Sequence, residues 1–233
     1  MNKIYELEAL RGIASIYVLL HHTVFHFNII EKKSLLGFFF SFGDVAVMAF
    51  FLLSGFVISM SLNKNTYDFK EYFLHRFIRI YSIVFIAWIL SFLSYYLVNG
   101  MPKFEFLNII GNILMLQDLS GQKIGIVTTP IFNNSPLWSL SYEWWFYMFF
   151  FWHFYLYTKN YKDKLVLFQI SGMLISFFGL IFYTLNHNAI AIFMSYYFIW
   201  FSGALIFLHY MRSSLYTKAI LKVLLSYIFI IVT

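Results

Sequence analysis

The stretch "LEALRGIASIYVLLHH", residues 7–22, decides the fold. It is apolar enough to enter a membrane, yet it holds Glu8, Arg11, His21 and His22. A charged side chain at the centre of a bilayer costs about 2.5–3.5 kcal/mol on insertion scales unless it faces a partner or water. The stretch reads as the entry to a span whose polar groups need a partner, water or a function. The rest of the chain favours a span. Of its 233 residues, 61% are hydrophobic and 11% charged. A soluble domain is about 45–50% apolar and about 25% charged. The net charge of +6 calls for no nucleic-acid partner, because the positive-inside rule alone supplies basic residues to cytoplasmic loops. The absence of cysteine excludes a thiol nucleophile, a disulfide and a thiolate-ligated metal. Glu6 and Glu8 break the charge pattern of a signal peptide.

A span needs about 20 mostly apolar residues. The chain offers such runs at 7–28, 36–60, 77–98, 137–157, 165–185, 188–209 and 219–233. The expected fold is all-α, a polytopic bundle of about seven spans forming a single domain over residues 1–233. "FLNIIGNILML" at 106–116 is too short to cross and reads as re-entrant or interfacial. With the N-terminus in the cytoplasm, inner segments carry Lys3, Arg11, Lys64, Lys70, Arg76, Arg79, Lys159, Lys162, Lys164, Arg212, Lys218 and Lys222. Outer segments then carry only Lys32, Lys33, Lys103 and Lys123, so the N-terminus is expected inside. The run at "SYIFIIVT" ends the sequence without a polar anchor, and the chain is expected to be C-terminally incomplete.

Arg11 and His22 are separated by eleven helical steps. At about 100° per step they share a face to within about 20°, roughly 16 Å apart along the axis. His21 falls about 80° aside. Measured from the expected outer ends of their spans, His22, Asp44 and Glu143 all lie roughly 9–12 Å deep. Three acid/base groups thus share one layer. Each also has a plain structural alternative, as a packed, hydrogen-bonded or loop residue. His22 and His26 have the i, i+4 spacing of a metal pair, but no glutamate stands between them in an HExxH pattern, and no metal is expected. No histidine has an aspartate five residues on, so the HxxxxD pattern of glycerolipid acyltransferases is absent. Arg76 and Arg79, at i and i+3 near the inner end of a span, suit a phosphate clamp, although topology alone also places arginines there. Trp138 and Ser139 sit at the rim, with Glu143 one turn beneath Ser139, and Tyr142, Trp144 and Trp145 flank that glutamate. Their aromatic faces suit either a sugar or an interfacial belt.

Four stretches together resemble the acyltransferase-3 family of bacterial integral membrane proteins, which includes O-antigen and exopolysaccharide acetylases. "LRGIASIYVLLHH" resembles its first-span signature, with Arg11 and His22 as the spaced pair. "AVMAFFLLSGFVIS" (46–59) resembles its FF-x-x-SGF-x-I segment, "RFIRIY" (76–81) its R-x-x-R-I-x-P motif, and "LWSLSYEWWFY" (137–147) its LWSL-x-x-E-x-x-FY motif. Met48 stands where the family often has aspartate, with Asp44 one turn earlier, and Ser82 stands where its proline usually follows.

The resemblance implies transfer of an acyl group, acetyl above all, from cytoplasmic acyl-CoA to a hydroxyl of a carbohydrate at the outer side. The enzyme would be a multi-pass protein of the bacterial cytoplasmic (inner) membrane, with the lipid bilayer as its surroundings and no bound cofactor. His22 would be the general base, oriented by Asp44 or Glu143. Arg11, Arg76 and Arg79 would attend the acyl-CoA donor, and Trp138, Ser139 and Tyr142 the acceptor. A transporter or flippase is the alternative of another class, since intramembrane ionisable residues also mark substrate pathways. A non-catalytic fragment is the third.

Overall fold

Helix α1 (Tyr5–His26) turns its polar side inward. Leu19 is 66% exposed and Ile13 and Ile16 are exposed with it, whereas Arg11 is 7% exposed beside buried Ala14 and Val24. His21 and His22 lie half-buried. Leu and Ile outward with Arg and His inward is the arrangement hydrocarbon surroundings favour.

The computed structural model describes residues 5–31, 33–64, 68–160 and 165–212. After α1 come α2 (Leu35–Phe40), α3 (Gly43–Lys64), α4 (Phe69–Asn99), α5 (Phe106–Ile113), α6 (Trp138–Asn160), α7 (Leu165–Asn186) and α8 (Ala189–Arg212). Two 3-10 turns, Ile131–Asn133 and Ser135–Leu137, lead into α6. No strand occurs among the described residues.

Four segments among these residues are long and apolar enough to cross a membrane: Leu35–Lys64, Phe69–Asn99, Leu165–Asn186 and Ala189–Met211. The count of seven needs this qualification. α1 and α6 have the length, 22 and 23 residues, but not the apolarity. Arg11 and the histidines dilute α1, and tryptophans, tyrosines and Glu143 dilute α6. The run expected at 219–233 lies outside the described residues.

The chain divides into two compact units, residues 1–63 with 199–233, and residues 64–198. In the first, α3 and the C-terminal part of α8 meet backbone to backbone. A Cβ on Gly55 would lie 1.9 Å from the Trp200 carbonyl oxygen, and one on Gly203 would lie 1.8 Å from that of Leu52. Membrane helices pack closely through small residues because dispersion, not water exclusion, drives their association. Phe56 and Phe207 meet beside this seam, ring centroids 5.4 Å apart.

The expected span 36–60 is broken at Ser41–Phe42, between α2 and α3. The break frees backbone groups, and α1 satisfies them. The Tyr17 hydroxyl donates to the Phe39 carbonyl at 2.5 Å and accepts from the Phe42 N–H at 3.2 Å. One turn on, His21 Nδ1 is 2.6 Å from the Phe40 carbonyl oxygen. The corner leaves no room for a side chain at residue 43, where a Cβ would lie 2.5 Å from the His21 ring.

In the second unit α4 and α6 run antiparallel. Phe69 meets Trp152 at 5.1 Å, Tyr72 meets Phe151 at 4.9 Å, and Tyr81 meets Trp144 at 5.1 Å between centroids. α4 starts eight residues before the expected 77, because Asp68 caps it by accepting from the Glu71 N–H at 2.7 Å. It continues unbroken past Ser82, whose hydroxyl donates back to the Ile78 carbonyl at 2.6 Å. α6 and α7 are tied through His153, with Nε2 2.8 Å from the Ser171 hydroxyl and Nδ1 3.0 Å from that of Tyr197 on α8.

The segment between α5 and α6 is folded rather than loose. Asn112 donates to the Thr129 carbonyl at 2.8 Å and accepts from the Ile131 N–H at 3.0 Å. Gly125, at φ +78°, packs where a Cβ would lie 1.4 Å from the His187 carbonyl oxygen. Only glycine meets both demands.

Candidate active site

The first unit contains Arg11, His22 and Asp44. Arg11 is buried, its guanidinium 5.0 Å from the centroid of the Phe50 ring on α3. The two adjacent histidines have separate surroundings. His21 is engaged with the α2–α3 corner, whereas His22 makes no hydrogen bond among the described residues. Asp44, in the first turn of α3, is exposed and lies within electrostatic reach of His22. The positive end of a helix dipole favours a carboxylate there. Tyr17, His21 and Gly43 therefore set where α3 begins, and so where Asp44 stands.

The second unit contains Arg76, Arg79, Trp138, Ser139, Tyr142 and Glu143. Glu143 is buried and accepts a hydrogen bond from the Tyr147 hydroxyl one turn along α6. Arg76 is also buried, its guanidinium 5.3 Å from the Tyr72 ring centroid and 5.7 Å from that of Tyr147. Arg76 and Glu143 thus converge on one tyrosine, although their separate span depths had set them far apart. The antiparallel register of α4 against α6 brings them level. Arg79, one turn from Arg76, is exposed, so the pair does not share one environment. Ser139 donates to the Pro136 carbonyl at 3.3 Å, a local turn contact.

Trp138 and Tyr142 enclose a cation of the protein itself. The Lys123 ammonium stands 3.9 Å from the Trp138 ring centroid, 4.6 Å from that of Tyr142 and 4.9 Å from that of Tyr196. It is paired with Asp118 at 2.9 Å. Sequence reasoning missed this group, since Asp118 and Lys123 lie in an aperiodic segment. It also missed Tyr17 and Tyr147, although Tyr147 at i+4 from Glu143 carried the spacing of a helical pair.

An imidazole not committed to a hydrogen bond, within electrostatic reach of a carboxylate, can take a proton from a hydroxyl. The family model described as an acyltransferase domain matches residues 4–233. The chain belongs to the acyltransferase-3 family. No curated protein and no solved structure matches it. For this acyltransferase-3 chain the structure gives two of the motif segments a physical reason. The glycine of "LLSGF" is Gly55, the point of closest contact between α3 and α8. The tyrosine that ends "EWWFY" is Tyr147, the donor to Glu143.

Proposed function

We propose that the protein is a multi-pass O-acyltransferase of the bacterial cytoplasmic membrane, N-terminus inside and α1 and α6 also crossing. It moves an acyl group, acetyl first, from cytoplasmic acyl-CoA to a hydroxyl of a cell-surface or exported carbohydrate. The observation that carries this reading is the division of labour at His21 and His22. The first serves the backbone corner, and the second makes no hydrogen bond among the described residues and lies within electrostatic reach of Asp44.

His22 takes the acceptor hydroxyl proton as the oxygen attacks the thioester carbonyl. The carbon–sulfur bond breaks, and the His22 imidazolium returns that proton to the departing coenzyme A thiolate. Asp44 stabilises the imidazolium formed on His22. Glu143 is the second acid, its carboxylate oriented by Tyr147. Of the three arginines assigned to the donor, exposed Arg79 suits its phosphates, while Arg11 in the first unit and Arg76 in the second are each buried.

The test is mass spectrometry of surface glycans from cells with and without the gene, joined to transfer of label from acetyl-CoA in membrane vesicles. Acetyl groups present only with the gene, and only with the donor, support the proposal. Glycan uptake by proteoliposomes without acyl-CoA points instead to a transporter.

A further inference from the structure

Between α5 and α6 the chain makes a run of contacts to Leu137 and the first two turns of α6, all inside residues 64–198. The Trp145 indole N–H donates to the Met115 carbonyl at 2.9 Å. The Gln117 amide donates to the Leu137 carbonyl at 3.1 Å, and the Ser141 hydroxyl donates to the Gln117 carbonyl at 2.9 Å. The Tyr142 hydroxyl donates to Asp118 Oδ2 at 2.5 Å and accepts from Lys123 Nζ at 3.1 Å. These contacts hold residues 137, 141, 142 and 145, on both sides of Glu143.

The Asp118–Lys123 pair is the costly part of this brace. The side chains are 7% and 10% exposed. Taking two charges out of water costs free energy that their attraction only partly returns, so a buried pair is poor evidence for a gain in stability. The surrounding contacts show what the pair does accomplish. Asp118 accepts from the Leu119 N–H at 2.8 Å, from Lys123 and from Tyr142, and its own N–H donates to the Thr128 carbonyl at 2.9 Å. Lys123 is held in turn among the rings of Trp138, Tyr142 and Tyr196. Charge-assisted bonds of this kind are short and directional, and they fix geometry. Tyr142, which they grip, is the neighbour of Glu143.

We infer that Asp118 and Lys123 are positioning residues. They lock Tyr142, and through it the first turns of α6, so that the Glu143 carboxylate points in one direction. This rests on the acyl-transfer proposal above. It also revises the role of Trp138 and Tyr142, whose faces hold the Lys123 ammonium instead of lying open to a sugar.

The experiment compares Lys123→Met, Asp118→Asn and the double variant with the parent chain in membrane vesicles carrying their native acceptor. Thiol release from acetyl-CoA gives kcat and the KM for that donor. Hydrogen exchange of residues 137–145 reports the brace without reference to activity. Each single variant leaves a buried charge unbalanced. It should lower kcat per folded molecule at least tenfold, leave the donor KM within twofold and speed exchange in 137–145. The double variant is neutral and keeps an acceptor for Tyr142, so kcat should recover to within about threefold of the parent. Unchanged exchange in both single variants, or faster exchange at parental kcat, overturns the positioning role. A double variant no better than the singles also overturns it. If the parent chain releases no thiol, the acyl-transfer reading fails. In that case unchanged exchange still overturns the brace, and faster exchange in the singles with recovery in the double upholds it.

Discussion

Gly55 on α3 and Gly203 on α8 are reciprocal contacts, each lying where a side-chain carbon would strike the backbone of the other helix. Helix backbones this close cannot admit a methyl group without moving apart, and the Phe56–Phe207 ring contact beside them would be lost with the shift.

Gly55→Ala and Gly203→Ala should each destabilise the fold by about 1–3 kcal/mol or more, the usual cost of overpacking. Gly12→Ala is the matched control, because nothing lies within 4 Å of a Cβ there. It should be neutral or slightly stabilising, as alanine is the better helix former. Thermal unfolding in detergent, followed by loss of helical signal, separates the three.

His22→Ala should remove acyl transfer, by about 10²-fold or more, with the protein still folded. His21→Ala should lose less activity per folded molecule. Its defect should appear as lower folded yield, because the Phe40 carbonyl loses its partner at the α2–α3 corner. Tyr17→Phe, which removes both bonds of that hydroxyl, should resemble His21→Ala. Counting acyl groups on the glycan against folded protein distinguishes the two classes. Parental activity in His22→Ala would remove it as the base.

Glu143→Gln keeps shape and hydrogen bonding but removes the charge. Activity should fall at least about tenfold, equivalent to about 1.4 kcal/mol in the barrier, at unchanged membrane insertion. Tyr147→Phe, which deletes the donor to Glu143, should give a smaller loss of the same kind. A fully active, well-folded Gln variant would leave Glu143 a structural residue.

The two arginines of "RFIRIY" should separate on substitution. Arg79 is exposed, so Arg79→Ala should raise the KM for acyl-CoA, and rising salt should shrink the difference from the parent through screening. Arg76 is buried against Tyr72 and Tyr147, so Arg76→Ala should lower the amount of folded protein. Steady-state kinetics at low and high salt, with folded yield measured in parallel, tests both. An Arg76 variant with parental yield and a raised donor KM would restore the paired clamp.

The sequence by itself determined the helical class, most helix positions and the family. It also determined that Arg11 and His22 share a face, because helical period and apolar run length are local properties. The relation of Glu143 to Tyr147 was within its reach too, as an i, i+4 pair on one helix.

What only the tertiary structure decided depends on contacts distant in the chain. Gly43 and Asp44 leave open a later start of the span, but nothing local makes a break at Ser41–Phe42 stable. It is stable there because Tyr17 and His21 of another helix satisfy the freed backbone groups. Arg76 and Glu143 reach one tyrosine because α4 lies antiparallel to α6 in a register that hydropathy does not encode. Asp118 and Lys123 carry no periodic signal, and their burial exists only because an aperiodic segment folds back on α6 and finds three aromatic rings. Hydropathy reports how a residue partitions from water. It is silent on which partner makes a buried charge tolerable, and that is what packing decides.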